Sequence, residues 1–340
     1  MELHITTARQ FVDVLLGVYG YGDIRGGALM VYLDNDIDMN ELGSPYNYAR
    51  ERDSERHLWN LTIDGQGFKI KNFYFSDLAS TFFLLAAADN GDWETWLVKI
   101  VFKNITFFDI YVQCSDSQGL AAYYGKTYSG TTIIFENVKV YGAFEALNGG
   151  QIINGSDINN CFICCTMVSN TMFSIYAVYG NGEKGILANS GAVIRGMYNG
   201  LIRCFHPFNF GYFGYKTDYG LVGKVYRCFA IINNAFAVDY WSNYGTSGGY
   251  GKHTSIFNCY VCVKKCSSFN IANNSSSFFN NCVYDKDLLD AIGVTPTGGG
   301  EELERLLPIL KTLNIWRIIM DLLYKKGGCA MYERVTYNNC

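Results

Sequence analysis

The sequence is poor in proline, in charge and in long apolar runs, and each shortage excludes a class of protein. Only 4 of the 340 residues are proline, and charged residues make up 17% of the chain, below the roughly 25% of an average globular protein. Lysine and arginine number 27 against 31 acidic residues, so a nucleic-acid partner is not expected. The most apolar stretch, Ile315–Tyr324, is short and contains Arg317 and Asp321, so membrane insertion is not expected either.

The first residues show no basic stretch followed by an apolar one, so we expect no secretory signal peptide and synthesis in a cytoplasm. Twelve cysteines in such a chain favour buried thiols over a disulfide framework. What is abundant is aromatic: 23 Phe, 26 Tyr and 5 Trp can fill a large core. Thirty-six glycines favour strands joined by tight bends.

A short motif, apolar-x-Asn-apolar-x-apolar, recurs along the chain. Its copies are centred on Asn60, Asn72, Asn104 and Asn137, then with looser flanks on Asn160, Arg227, Asn258 and Asn281, and most weakly on Gly196. The apolar residues lie two positions before the Asn and one and three positions after it. They cannot all share one face of a straight strand, because the faces alternate at every residue. The motif therefore predicts a bend with the left-handed backbone that Asn and Gly tolerate. Arg227 does not fit this explanation.

The spacing of the motifs predicts a solenoid. Asn137 and Asn160 lie 23 residues apart, as do Asn258 and Asn281, and most other neighbouring motifs are about ten residues further apart. This spacing is expected for coils of a parallel β-helix with loops inserted at one corner. The position after the bend is Ile105 or Val138 in some coils and cysteine in others. This register predicts a column of buried thiols that act as small apolar groups, and not zinc ligands, at Cys161, Cys228, Cys259 and Cys282.

The bends followed by Ile, Val or Cys, as in Phe-Lys-Asn-Ile-Thr-Phe and Phe-Asn-Asn-Cys-Val-Tyr, point to a known fold. Together with Asn60–Gly67, which is similar to a first coil, they resemble the right-handed parallel β-helix of the pectate-lyase-like superfamily, which includes bacteriophage tailspikes and virion adhesins. The resemblance implies an all-β fold: a right-handed single-stranded parallel β-helix, or solenoid, with an N-terminal capping helix and a C-terminal helical segment. It is specific for fold but not for activity.

The chain divides into three expected regions. Residues 1–57 form the cap helix and a lead-in segment, residues 58–285 the parallel β-helix, and residues 286–340 a C-terminal helical segment for capping or assembly. The cap helix is predicted after Thr6 or Thr7 from the helical spacing of apolar residues, namely Ala8, Phe11, Val14, Leu15 and Val18. A strand is expected around 28–33.

The C-terminal region is predicted to contain two helices. They follow a glycine hinge at 298–300, and Pro308 kinks or splits the first. The leucines at helical spacing are Leu303, Leu306, Leu307, Leu310 and Leu313. The second helix runs from about 315 to 326, and a strand is expected near 331–337. Two helices exceed what is needed to cap one coil, which favours assembly with another chain.

Catalysis on such a scaffold would require clustered carboxylates. The weak catalytic candidates follow strands in consecutive coils; they are Asp109, Asp116, Glu145 and Asp157. The string Gly245–Gly249 matches a nucleophile elbow but lacks the strand-to-helix setting, so it is read as a loop. Aromatic residues in the loops are predicted to bind a ligand or to pack over the column, namely Tyr123, Tyr124, Tyr128, Tyr215, Tyr219, Trp241 and Tyr244.

These observations predict a non-catalytic phage virion protein, of tailspike or fibre type, that binds a host receptor or glycan. We expect no metal and no cofactor. The expected partners are virion proteins and a host surface glycan, the expected state is a homo-oligomer, and the location is the virion after synthesis in the host cytoplasm. Two alternatives stay open: a polysaccharide lyase or glycoside hydrolase of the β-helix fold, and a capsid or tail decoration protein that docks through its C-terminal segment.

Overall fold

The structure is a computed structural model in which parallel strands predominate. It describes residues 1–20, 27–51, 60–78, 84–88, 99–115, 119–124, 132–147, 149–168, 172–179, 185–195, 200–208, 224–239, 255–257, 259–270, 278–280, 283–284 and 286–296. Within these ranges the strands pair in parallel with their neighbours and helices are few. The all-β, parallel part of the expected fold is thereby confirmed.

The N-terminal helix α1 (Ala8–Leu15) starts where the sequence predicts. Thr7 is its N-cap: the Thr7 hydroxyl accepts from the Gln10 backbone N–H, and the Gln10 side chain accepts from the Thr7 backbone N–H. The helix ends at Leu15, before Gly17 with its φ of 74°, so the predicted extension to Val18 is wrong and Val18 is 66% exposed. The buried side of α1 comprises Ala8, Phe11, Val12, Val14 and Leu15.

Most strands belong to three parallel sheets, described here in pairing order. The first sheet contains β1 (Glu2–Ile5), β2 (Leu29–Leu33), β4 (Asn60–Asp64), β8 (Lys99–Lys103), β11 (Thr132–Glu136), β14 (Asp157–Asn159), β17 (Ile186–Ala188), β20 (Lys224–Tyr226), β23 (Ser255–Phe257) and β26 (Phe278–Asn280). Of these, β2 confirms the strand expected near 28–33.

The second sheet carries the candidate site. It contains β3 (Ile37–Asp38), β5 (Lys69–Lys71), β6 (Tyr74–Asp77), β9 (Thr106–Cys114), β12 (Lys139–Ala146), β15 (Phe162–Val168), β18 (Gly191–Arg195), β21 (Phe229–Ile232), β24 (Tyr260–Val263) and β27 (Val283–Tyr284). Two short 3-10 helices, Met39–Leu42 and Tyr48–Arg50, lie in the lead-in segment.

The third sheet contains β13 (Gly150–Gly155), β16 (Met172–Tyr179), β19 (Leu201–Phe208), β22 (Ala237–Asp239) and β25 (Ser268–Asn270), and β7 (Leu85–Ala88) pairs with β10 (Ala121–Tyr124). From β11 onward the chain visits the first, second and third sheets in turn, and each strand except β13, which begins the third sheet, pairs with the strand one circuit earlier. We call one such circuit a coil. Residues at equivalent positions therefore stack in rows from coil to coil.

The predicted bends between the first and second sheets are confirmed. Asn104, Asn137, Asn160 and Arg227 all lie there with φ between 52° and 54°, in the left-handed region that L-residues rarely adopt. Asn is among the few residue types that enter this region readily. Arg227 adopts the same conformation without that advantage.

Two copies of the motif, at Asn60 and Asn72, do not mark a bend between the first two sheets. Asn60 begins β4 and is not a bend; the bend between the first two sheets lies instead at Gln66, with φ 50°. In a later coil the bend between the first two sheets is at Asn189, with φ 49°; Gly196 lies outside the described residues. Asn72 has φ 57° but lies within the second sheet, between β5 and β6. The motif marks any break in side-chain alternation, whichever sheet contains it.

The bend side chains form a ladder of hydrogen bonds from coil to coil. The Asn160 amide nitrogen donates to the Asn137 Oδ1 at 3.4 Å, and the Asn137 amide nitrogen donates to the Asn104 Oδ1 at 3.1 Å. Asn104 in turn donates to the Asp64 carboxylate at 3.1 Å, which also pairs with the Lys103 ammonium at 3.1 Å. Each bend is thereby tied to the coil before it.

The core consists of stacked rows, one of which includes the cysteines. Phe102 and Phe135 are in register in the first sheet, fully buried, and stacked with ring centroids 5.5 Å apart. The predicted burial of Cys161, Cys228 and Cys259 is confirmed; Cys282 lies outside the described residues. Burial raises the pKa of the Cys161 thiol to about 12, so this group stays protonated and apolar at neutral pH.

The last described element is a short helix, α2 (Lys286–Ala291), which the sequence did not predict. It packs against β24, and its Leu289 is buried. The glycine hinge, the two predicted C-terminal helices and the final strand lie outside the described residues.

Candidate functional site

The outer side of the second sheet is shaped by an extra residue in β9. Phe107 and Ile110 are both buried although they are three positions apart, whereas their partners Val140 and Gly142 in β12 are two positions apart. The surplus residue is absorbed at Asp109, which has φ 55°. Such a bulge reverses which side chains face outward and often occurs next to functional sites.

Downstream of the bulge, five polar and aromatic side chains meet on the outer side. Tyr74 pairs in register with Tyr111, and Ser76 with Gln113, which in turn pairs with Glu145. They alternate along β6, β9 and β12 with buried residues, and all five are half-buried. We call Tyr74, Ser76, Tyr111, Gln113 and Glu145 the Tyr–Glu cluster.

Hydrogen bonds hold the cluster in one arrangement. The Tyr111 hydroxyl and the Gln113 amide nitrogen both donate to Oε2 of Glu145, at 2.9 and 3.0 Å. The Ser76 hydroxyl donates to the Gln113 carbonyl oxygen at 2.7 Å. Because the nitrogen of the Gln113 amide donates and its oxygen accepts, the two neighbours fix which way the amide group is turned.

The two tyrosines form a flat aromatic surface beside the carboxylate. Their ring centroids lie 5.3 Å apart with an interplanar angle of 10°. Burial, together with the hydrogen bond to Glu145, raises the pKa of the Tyr111 phenol to about 12. Tyr111 is therefore a neutral hydrogen-bond donor at physiological pH.

The row of residues next to Tyr111 has small side chains. Ala143 pairs with Tyr111 in the following coil, then Thr166 pairs with Ala143, and Arg195 with Thr166. The two small residues span about 5–10 Å across the sheet, one to two strand spacings. This row of small side chains therefore lies between Tyr111 on β9 and Arg195 on β18.

Of the four predicted carboxylates the structure describes three, and it does not bring these three together. Glu145 belongs to the Tyr–Glu cluster, while the exposed Asp109 lies four residues before Gln113 on β9, about 13 Å along the strand. Asp157 is in the first sheet, where burial and the nearby Glu136 raise its pKa. Asp116 lies outside the described residues.

The aromatic residues predicted to bind a ligand lie mostly outside the described residues. Tyr123 and Tyr124 are in β10, where only the backbone is described. The others, outside the described ranges, are Tyr128, Tyr215, Tyr219, Trp241 and Tyr244. The site residues predicted from the sequence did not include Tyr74, Ser76, Tyr111 and Gln113. The sequence signal that indicates them is the alternation of apolar and polar residues, which restarts after Asn72 and Asp109.

The described residues contain no group of three or more His, Cys, Asp or Glu side chains placed to hold a metal ion. In the same ranges, no helix has the length and apolar content needed to cross a membrane.

Comparison with known proteins identifies distant structural likenesses. No family model matches this chain, and no curated protein matches it. A crystal structure of a candidate immunoglobulin A1 protease from Bacteroides ovatus is similar at 15% identity with a TM-score of 0.42, over 92% of this chain and 87% of that one. The SRRP of L. reuteri 53608 is similar at 11% identity with a TM-score of 0.37, over 86% and 99%.

A third likeness is to the A-module of the mannuronan C-5 epimerase AlgE6 of Azotobacter vinelandii. It has 12% identity and a TM-score of 0.28, over 87% of this chain and 97% of that one. At these TM-scores the likenesses carry no argument about what this chain does.

Proposed function

We propose that this chain is a non-catalytic glycan-binding module, and that the Tyr–Glu cluster binds the sugar on the outer side of the second sheet. The observation that carries the proposal is the fixed carboxylate beside the ring pair: Tyr111 and Gln113 both donate to Oε2 of Glu145, and Tyr111 stacks on Tyr74. No side chain of this network needs to reorganise before a ligand arrives, which lowers the entropic cost of binding.

A sugar has the complementary chemistry. Its hydroxyl groups donate to carboxylates and exchange hydrogen bonds with amides, and its C–H face packs against aromatic rings. The row of small side chains at Ala143 and Thr166, about 5–10 Å wide, has a width comparable to that of one sugar ring. Rigid tyrosines beside adaptable polar groups are also typical of recognition surfaces.

The carboxylate arrangement favours binding over hydrolysis. Glycosidases place two carboxyl groups about 5 to 9.5 Å apart across the scissile bond. In the described part of the outer side, the candidate partner of Glu145 is Asp109, which lies about 13 Å away along the strand. Asp109 also has a backbone role, because its left-handed φ of 55° accommodates the bulge. Cleavage of a glycan would support the lyase or hydrolase alternative.

The finer fold and the biological setting belong to the same proposal. We propose that the coils wind as a right-handed single-stranded parallel β-helix; the three-sheet circuit and the bends at Asn104, Asn137 and Asn160 support it. We also propose that the module acts on a virion, as a homo-oligomer with virion proteins and a host surface glycan as partners. The resemblance of the Asn-bend motifs to virion adhesins supports this setting.

A glycan panel scored for both retention and cleavage tests the function. Tyr111→Ala should weaken retention by about tenfold or more, since buried aromatic anchors dominate binding energy. Tyr32→Ala is the matched control, because Tyr32 is also half-buried and stacked, on His4 of the first sheet with centroids 5.1 Å apart. Glu145→Gln should weaken retention while keeping the size of the side chain.

Two results would overturn the proposal. The first is product formation from any retained glycan, abolished by Glu145→Gln, which would make the chain an enzyme. The second is equal retention by Tyr111→Ala, Tyr32→Ala and the unsubstituted protein, which would place the binding surface elsewhere.

A further inference from the structure

The carboxylate of Glu145 is hydrogen-bonded through one of its two oxygens. The Tyr111 hydroxyl and the Gln113 amide nitrogen both donate to Oε2, and no donor among the described residues bonds to Oε1. Both donors are neutral groups, so no cation lies beside the negative charge. Oε1 is therefore the acceptor of the Tyr–Glu cluster that is left for a donor supplied by a ligand.

Other carboxylates that are partly or largely buried have a cationic partner within this chain. Asp36 pairs with the Lys71 ammonium at 2.7 Å, and Asp64 pairs with the Lys103 ammonium at 3.1 Å. Within the described ranges, no lysine, arginine or histidine forms an ion pair with Glu145. Because a half-buried charge is stabilised by a partner of opposite sign, Glu145 favours a ligand that carries positive charge.

A tyrosine next to a carboxylate already holds a cation elsewhere in this chain. The Arg9 guanidinium donates to both oxygens of Glu51, at 2.7 and 3.0 Å, and to the Tyr46 hydroxyl at 2.9 Å. Its central carbon lies 5.9 Å from the centroid of the Tyr46 ring, within the range of a cation–π contact. Tyr111 and Glu145 form the same combination without an arginine.

The stacked rings of Tyr74 and Tyr111 add a second attraction for positive charge. The face of an aromatic ring has a negative potential, which attracts a cation within about 6 Å of the ring centroid. A neighbouring part of the same sheet shows this contact, since the Lys69 ammonium lies 5.6 Å from the centroid of the Phe108 ring. The ring pair and Oε1 of Glu145 therefore select for the same kind of group.

The three strands that form the cluster contain more acidic than basic residues. The charged residues of β6, β9 and β12 are Asp77, Asp109, Lys139 and Glu145. Lys139 is the one base on these strands, and it precedes Glu145 by six positions, about 20 Å along the strand. A negatively charged ligand group would be repelled at the cluster, whereas a positively charged one would be attracted.

We propose that the glycan bound by the Tyr–Glu cluster contains an amino sugar whose amine is free and protonated. The proposal rests on the proposed function, because it names the class of sugar that the cluster binds. The ammonium group donates to Oε1 of Glu145 and lies beside the rings of Tyr74 and Tyr111. The rest of the sugar ring lies over the row of small side chains at Ala143 and Thr166.

Three tetrasaccharides that differ in one substituent test the proposal. The β-1,4-linked tetramers of glucosamine, N-acetylglucosamine and glucose present an ammonium, an acetamide and a hydroxyl group at the same carbon. Titration calorimetry with the full-length, unsubstituted protein at about pH 6, where such an amine is protonated, gives the three affinities. The glucosamine tetramer should bind about tenfold or more tighter than the other two, because charge-assisted hydrogen bonds are the stronger ones. Equal affinities would overturn the proposal.

Glu145→Gln removes the charge and keeps the size of the side chain, so it should abolish the preference for the glucosamine tetramer. Glu136→Gln is the matched control, because it removes the same charge from an exposed position of the first sheet and should leave the preference unchanged. Tyr74→Leu keeps the carboxylate and removes one ring, so it should reduce the preference about threefold; it provides the test if Glu145→Gln does not fold. A preference that survives Glu145→Gln, or that Glu136→Gln lowers equally, would overturn the proposal.

The remaining outcomes separate this proposal from the proposed function. Retention of a neutral or acidic glycan that is lost in Tyr111→Ala would overturn the amino-sugar assignment and leave the glycan-binding function intact. If no glycan were retained in a way that depends on Tyr111, both would be overturned. A tetralysine peptide that binds tighter than the glucosamine tetramer, and loses this binding in Glu145→Gln, would indicate a protein partner and overturn the sugar assignment.

Discussion

The bend at Asn137 offers a test of what holds successive coils in register. Asn137 has φ 54° and joins two hydrogen bonds of the ladder, donating to Asn104 and accepting from Asn160. Asn137→Val removes both bonds and places a β-branched side chain in a left-handed backbone. Lys139→Val, two residues later, changes an outward position of β12 whose backbone is ordinary strand.

The two effects of Asn137→Val can be sized separately. Left-handed strain in a residue other than glycine costs about 1–3 kcal/mol. Two hydrogen bonds in a half-buried position contribute about 1–2 kcal/mol together. The expected loss of unfolding free energy is therefore about 2–5 kcal/mol, whereas Lys139→Val should change it by less than about 0.5 kcal/mol.

Asn137→Gly separates strain from hydrogen bonding. Glycine adopts a positive φ without strain, so this variant loses only the two amide bonds and should lose about 1–2 kcal/mol. Thermal unfolding followed by circular dichroism should show Tm falling by roughly 5–10 °C for Asn137→Val. The fall should be about half as large for Asn137→Gly, and small for Lys139→Val.

Equal Tm shifts for Asn137→Val and Lys139→Val would refute the assignment of the bend. If Asn137→Gly and Asn137→Val were equally damaging, the left-handed backbone would not be the source of the cost, and the ladder alone would account for it. A variant counts as folded if it keeps the β-strand signal in circular dichroism and if its buried Cys161 thiol stays protected from alkylation.

Two further predictions concern packing and charge. Gly191→Ala would bring a Cβ to 2.0 Å from the Phe229 ring. We therefore expect the unfolding free energy, measured by urea unfolding, to fall by about 1–3 kcal/mol and to be partly recovered by adding Phe229→Leu. If Gly191→Ala left the unfolding free energy unchanged, the packing of the Phe229 ring against Gly191 would be refuted. Burial and Glu136 raise the pKa of Asp157, so its ionisation lowers stability as pH rises through that pKa. Asp157→Asn should then stabilise the protein at neutral pH by about 0.5 kcal/mol and have no effect at a pH where Asp157 is protonated; equal effects at both pH values would contradict this.

The sequence alone determined the features that depend on short stretches of backbone. A left-handed bend needs a residue that tolerates positive φ, and the alternation of apolar residues breaks where the chain turns. Asn104, Asn137 and Asn160 could therefore be located without a structure, and so could the burial of the cysteine that follows Asn160. Where the same break occurs inside a sheet, as at Asn72, the local pattern is identical and the sequence could not distinguish the two.

Only the tertiary structure decided which residues of different coils meet. Contacts between coils depend on the register of strands about 30 residues apart, and loops of unequal length hide that register in the sequence. The bulge at Asp109 then reverses the side-chain direction in β9, so that Tyr111 and Gln113 face outward beside Glu145, while Asp157, similar in sequence context, lies in another sheet. The Tyr–Glu cluster exists because parallel pairing adds residues from three coils, and no single stretch of the chain contains it.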